Sequence, residues 1–320
     1  MKIHEINLGR DHGNRWDERT RGGAPHKPLM LLAILDLMDA GLLLRNFVPY
    51  DDELLEAFDL YWSRLYGSER RTNPLQPYWR LQKDDVWQLI PASGASSAKF
   101  ASDEPTLKEF HRLVLGAEFN GNLFQEMSSQ NGRSQMRGLL LTQYFDADTA
   151  KLLASGRQIN FEAFQLRQDL AARSRHAFQE IWDGPDGINS DFTSESRQLA
   201  FRHVVVEAYA HTCAACGTHI RTPAGRSCLE AAHIIPFSVA KNDDPRNGLG
   251  LCPLHHWAFD QGMMAVGMDY KIKIHPDASE LRASADFLQL NKVELRLPQD
   301  SKLHPAKKAL EWHWKRFNSK

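Results

Sequence analysis

Two pairs of metal-binding residue types stand apart from the rest of the chain. Cys213-Ala-Ala-Cys216 and Cys252-Pro-Leu-His255 share the same spacing and have 35 residues between them. That spacing lets two side chains of one tight turn grip one ion, and two such pairs complete the tetrahedron that Zn²⁺ favours. A lone Cys-x-x-Cys is also the pattern of a redox pair. A second pair beside a histidine-rich run makes a metal the stronger expectation. Four protein ligands would leave no open position, so this ion is expected to be structural. His219 and Cys228 are possible substitutes for one ligand, although Cys228 reads better as a small apolar residue on a strand.

Between and just after these pairs lie further histidines. His233 sits in AAHIIP, Asn247 in DDPRNGLGLC, and His256 directly follows the second pair. In order, spacing and zinc frame, these residues resemble the HNH, or ββα-metal, nuclease family, over residues 200–280. The resemblance implies hydrolysis of nucleic-acid phosphodiesters with one divalent ion, Mg²⁺ or Mn²⁺. Such a reaction needs an activated water and neutralisation of phosphate charge. By the resemblance His233 is the general base, a task that suits a neutral imidazole near pH 7. Asn247 holds that histidine or its loop, and His256 binds the catalytic metal. Adjacent helical residues diverge by about 100°, so His255 and His256 can face different ions. Many family members carry Asp or His just before the general base, where this chain has Ala232. Asp260, four residues after His256 on the same helical face, is the favoured replacement ligand. Glu230 is the poorer one, because strand alternation puts it opposite His233. Asp243 and Asp244 read as turn and cap residues.

Bulk properties constrain the rest. The chain has 320 residues, enough for two domains, with 42% hydrophobic and 25% charged residues. The net charge of −1 means that local patches must carry any attraction to phosphate. All four cysteines fall after residue 212, which points to a metal site in a reducing compartment rather than a disulfide scaffold. MKIHEINLGRDHGN lacks the apolar run of a signal peptide, and no membrane-length apolar stretch occurs, so the cytoplasm is the expected location.

The elements that must position these residues follow from periodicity. Helices are expected at 28–44, 51–66, 105–116, 147–182 and 195–210, with a basic, Trp-bearing helix in the tail. Hairpins are expected at 77–90 and 263–275. GPDGINSD at 184–191 is the clearest boundary signal, and ASGASSAK a small-residue loop. The expected fold class is α+β: a mixed α/β N-terminal reader at 1–150, a helical linker at 151–194, a zinc-stapled ββα-metal domain at 195–290 and a helical tail at 291–320.

In the N-terminal part, Ala24-Pro25-His26-Lys27-Pro28-Leu29 and Gln76-Pro77-Tyr78-Trp79-Arg80-Leu81 together resemble the sulfur-binding domain found before HNH domains in modification-dependent restriction enzymes. Such modules bind DNA carrying a phosphorothioate linkage. The resemblance implies that His26 and Lys27 contact the backbone and that Pro77 lines a sulfur pocket. Sulfur is larger and less well hydrated than oxygen, so an apolar wall favours it while nearby cations meet the charge. The module's pattern has an aromatic residue before the proline, where this chain has Gln76. It has a small residue on the same strand, where this chain has Arg80. Tyr78 is expected to provide the aromatic wall instead. The combined expectation is a modification-dependent endonuclease acting on double-stranded, phosphorothioated DNA, as a homodimer if both strands are cut. The alternatives are a catalytically inactive, zinc-stabilised DNA-binding protein, or an HNH nuclease that reads a different modification or none.

Overall fold

The computed structural model describes residues 1–13, 15–67, 70–93, 104–179, 192–222 and 226–318. The boundary signal at 184–191 and most of the small-residue loop at 92–99 lie outside the described residues. By internal contacts the chain forms two units. The body of the first is Met1–Phe161, and that of the second is Glu162–Thr222 with Ser227–Lys320. Among the described residues no helix is long and apolar enough to cross a membrane.

The first unit is built around a helix with no polar side. α1 (His26–Asp39) has Leu29 through Leu35 essentially buried, as a run of LMLLAIL demands. It ends earlier than its apolar run predicts. Gly41, at φ 75°, takes the left-handed conformation and donates its N–H to Met38 O, while Leu42 N–H bonds Leu37 O. That pair of bonds is the Schellman stop, and it puts Leu44 outside the helix. α2 (Asp52–Tyr66), capped by the Asp51 carboxylate on Leu54 N–H, packs along α1.

The segment expected to be a hairpin is mostly helical. α3 (Leu75–Arg80) runs into a 3-10 turn at Leu81–Asp84, and only then does β1 (Trp87–Pro91) begin. The aromatic residues suggest a strand, but Pro77 falls in the first turn of α3, where no N–H is needed and its fixed φ suits a helix. The partner of β1 comes from later in the chain. α4 (Leu107–Leu113) gives way to β2 (Val114–Phe119), which pairs antiparallel with β1. α5 (Gly121–Met127) and α6 (Gln130–Tyr144) follow, α6 packing on α1, and the division into units falls inside α7 (Ala147–Arg173).

The second unit holds a ββα arrangement. α8 (Ser194–Ala208), capped by Thr193, lies on a two-stranded ribbon made of β3 (Glu230–His233) and β4 (Gly248–Leu251). The loop between the strands contains the short α9 (Phe237–Ala240). β4 reads Gly-Leu-Gly-Leu because α8 presses on it. A Cβ on Gly248 would stand 2.5 Å from Val205 and 3.0 Å from Phe201, and one on Gly250 would stand 2.8 Å from Tyr209. α10 (Pro253–Asp260) packs against both strands. The expected hairpin follows as β5 (Met264–Val266) and β6 (Ile272–Ile274). After α11 (Ala285–Leu288), α12 (Lys307–Asn318) packs on β5. Its buried Ala309, Leu310 and Phe317 face inward, and Lys307, Lys308, Lys315 and Arg316 are exposed.

Candidate active site

The two x2 pairs converge. Cys213, Cys216, Cys252 and His255 bring their ligand atoms within 4.8 Å of one another, so the group could hold a metal ion. The first pair sits in the turn after α8, where Gly217 (φ 76°) folds its N–H back to Cys213 O. The second pair straddles the start of α10. His255 turns Nδ1 inward, 3.1 Å from Cys252 Sγ and 3.7 Å from Cys213 Sγ. Tetrahedral Zn²⁺ with Zn–S near 2.3 Å and Zn–N near 2.0 Å would set such S···N separations at about 3.5 Å, so the donor set fits that ion. Burial pushes the Cys252 thiol up to about 12, and the neighbouring Cys213 and Cys216 add to the rise. A cation at the centre supplies the charge that lets such thiols ionise. His219 instead contacts the Thr212 hydroxyl, and half-buried Cys228 takes no part in the group.

His233 closes β3. Phe201 stacks on its ring at 3.9 Å and 9°, and Asp243 Oδ1 lies 2.8 Å from its Nε2. The reading of Asp243 as a turn or cap residue is corrected by this bond, whereas Asp244 does cap the following 3-10 turn through Arg246 N–H. Asn247 is fully buried and holds the loop after His233. Its Oδ1 accepts from Ile235 N–H at 2.9 Å, and its Nδ2 donates to Ile235 O and Asn242 O, each at 3.0 Å. Its backbone O also accepts from Ile234 N–H. Asn247 therefore fastens the loop, and among the described residues no hydrogen bond joins its side chain to the imidazole.

His256 lies between two carboxylates. Glu230 Oε2 is 2.7 Å from Nδ1, and Asp260 Oδ2 is 3.5 Å from Nε2. Two ligands of one divalent ion, each about 2.1 Å from it, stand roughly 3.0–3.5 Å apart, so Nε2 and Asp260 suit a shared Mg²⁺ or Mn²⁺. Glu230 suits the other role, a carboxylate that receives the far N–H of a metal-bound imidazole and sets its orientation. Ala232 is wholly buried and has no ligand atom to offer. Among the described residues no hydrogen bond or ion pair joins His233 to His256. Strand β3 connects the two groups, with Glu230 at its start and His233 at its end.

In the first unit, His26, Lys27, Pro77 and Arg80 line one cavity of about 540 Å³, together with Arg10, Arg15 and Gln76. α1 contributes His26 and Lys27, α3 contributes Gln76, Pro77 and Arg80, and Arg10 and Arg15 come from the segment before α1. His26 is packed between Trp16 and Trp62, and burial drives its pKa down to about 4, with Arg15 and Arg70 adding to the fall. It is neutral at pH 7. Lys27 is paired with Asp84 at 2.5 Å, and Arg80 approaches Glu104 at 3.7 Å. Tyr78 is not at this cavity. It is fully buried, and its hydroxyl donates to Val48 O at 2.5 Å. On a helix the neighbour of Pro77 points about 100° away from it, so the expected aromatic wall is absent.

No curated protein matches the chain. Among solved structures, a modification-dependent restriction endonuclease, TagI, is similar at 22% identity and a TM-score of 0.28. The match covers 36% of this chain and 36% of that one, so the chain spans about a third of that protein's length. Residues 213–267 match the HNH endonuclease family. The segment carrying the Cys₃His group, His233, Asn247 and His256 is an HNH endonuclease domain.

Proposed function

We propose that the chain is a modification-dependent DNA endonuclease of the restriction type, whose second unit hydrolyses a phosphodiester and whose first unit reads modified, phosphorothioated DNA. The observation that carries the reading is the HNH segment itself. What supports it within that segment is the clamped His233 imidazole at the end of β3 and the His256 imidazole of α10, which lies against Glu230 at the start of β3. His233 takes the proton of the attacking water. Asn247 keeps the loop behind it in place, and His256 with Asp260 holds one Mg²⁺ or Mn²⁺. When bound, that ion lowers the charge on the phosphate and the developing oxyanion. The Cys₃His group holds a structural Zn²⁺ and fixes the start of α10.

The reader reading rests on the cavity lined by His26, Lys27, Pro77 and Arg80. Arg10, Arg15, Arg80 and Lys83 bring positive charge to it, partly met by Asp11 on Arg15, while Pro77 and Ala24 give it an apolar wall, a pairing suited to a sulfur-substituted phosphate. Tethering a reader to a cutter raises the local concentration of the cutter only at marked DNA. Cutting both strands with one site per chain calls for two copies on the DNA. The test is plasmid cleavage with Mg²⁺ or Mn²⁺, using phosphorothioated and unmodified plasmid and a His233→Ala control. Equal cutting of both plasmids refutes the reader, and undiminished cutting by His233→Ala refutes the catalytic assignment. Tight DNA binding without metal-dependent cutting would instead mark a zinc-stabilised DNA clamp, the reading that buried Ala232 favours.

A further inference from the structure

Asp243 is a carboxylate with 1% exposure. Its two oxygens have separate partners: Oδ1 lies 2.8 Å from His233 Nε2, and Oδ2 lies 2.8 Å from Arg197 Nη1. Arg197 is itself nearly buried, and its guanidinium lies 3.4 Å over the ring of Phe237. Four residues further along α8, on the same helical face, Phe201 stacks on the His233 ring. One helix therefore supplies both the plate against which the imidazole lies and the cation that holds the imidazole's acid partner. A buried carboxylate without a cation would be costly, and Arg197 offsets that cost.

We propose that Asp243, held by Arg197, is a positioning residue that fixes the tautomer of His233 and thereby selects its reacting nitrogen. An ionised carboxylate only accepts hydrogen bonds, so the ring nitrogen facing it carries the hydrogen. Nε2 is that nitrogen. Nδ1 is left with the lone pair, and it is the atom that takes a proton from water as the water oxygen bonds to phosphorus and the phosphorus–oxygen bond to the leaving strand breaks. The leaving oxygen regains a proton from solvent. As the imidazole becomes an imidazolium, the Asp243 charge stabilises it, the role the buried acid plays in serine-protease triads. This inference rests on His233 being the general base.

The experiment uses the full-length, zinc-loaded chain labelled with ¹⁵N. Long-range ¹H–¹⁵N spectra identify the His233 ring by its loss in His233→Ala. The expected wild-type signature is the Nε2–H tautomer. Asp243→Asn presents an amide that can donate to Nε2, and the ring is expected to change to Nδ1–H. In cleavage assays the same variant should lose about 100- to 10,000-fold in kcat with KM within about threefold, and Asp243→Glu should recover part of the loss. A wild-type Nδ1–H signature overturns the proposal, as does an Asp243→Asn variant that cuts at the wild-type rate. The wild-type spectrum decides the matter even if Asp243→Asn fails to fold. If His233→Ala cuts normally, the general-base reading falls, while the tautomer still reports on what Asp243 does.

Discussion

Glu230 and His256 are 26 residues apart in sequence and 2.7 Å apart in space, carboxylate oxygen to Nδ1. With Nδ1 occupied, only Nε2 is free to meet an ion, and that is the side on which Asp260 stands. Glu230→Gln is expected to weaken Mn²⁺ binding by about 10- to 100-fold, the usual effect of removing a partner that orients a metal-bound histidine. Asp260→Ala, which removes the proposed direct ligand, should weaken it further. Calorimetric titration of the zinc-loaded chain with Mn²⁺ measures both. Unchanged affinity in Glu230→Gln would show that this carboxylate does not orient the ligand.

His26 ties the stability of the first unit to pH. Its pKa falls from 6.5 to about 4 on folding, chiefly through burial. Between those values the unfolded chain binds a proton that the folded one refuses, so stability held above pH 6.5 is lost as the pH drops through the window. The loss is at most roughly 3 kcal/mol, at 1.36 kcal/mol for each pKa unit. Urea unfolding at pH 7 and pH 5, followed by tryptophan fluorescence, should show the decline in wild type and a flatter response in His26→Gln. Equal declines would clear His26 of the effect.

Gly248 lets α8 approach the ribbon closely enough for Phe201 to lie on His233. Gly248→Ala inserts a methyl group where Val205 stands 2.5 Å away. The expected cost is about 1–3 kcal/mol, typical of overpacking. Cleavage is expected to fall as well, because the plate under the imidazole must move. Thermal melts paired with kcat measurements test this, and a variant with wild-type melting and wild-type kcat would contradict it.

The Cys₃His group should govern the folding of the second unit. Cys216→Ser, or stripping with a strong chelator, is expected to release about one Zn²⁺ per chain and abolish cooperative melting of that unit, because metal binding and folding are one equilibrium in such sites. Zinc assay and calorimetry follow both. A chain that keeps its second transition without metal would argue against a structural role.

What the sequence made legible was short-range. The metal pairs depend on spacing within a turn, and the hairpin over 263–275 on local alternation, so both appear where expected. α3 is hard to read from sequence because aromatic content imitates a strand, while the deciding feature is a single proline in a first turn. β2 was hidden because its partner lies before α4, and pairing across that distance leaves no local trace. Strand parity did place Glu230 opposite His233, but it does not reveal that α10 brings His256 to the Glu230 side. Asp243 likewise looked like ordinary loop punctuation, and only Arg197 from a different helix marks it as a partner of His233.

His255 and His256 are joined by one peptide bond, and the first belongs to the Cys₃His group while the second lies between Glu230 and Asp260. On the proposed reading, that bond sets an order of assembly. A chain that has not captured its structural ion is then expected to leave the start of α10 unfixed and His256 out of place between Glu230 and Asp260. On that reading the chain is expected to cut DNA only after the Cys₃His group has taken up its ion, so the structural metal would act as a safety catch on the cutting site.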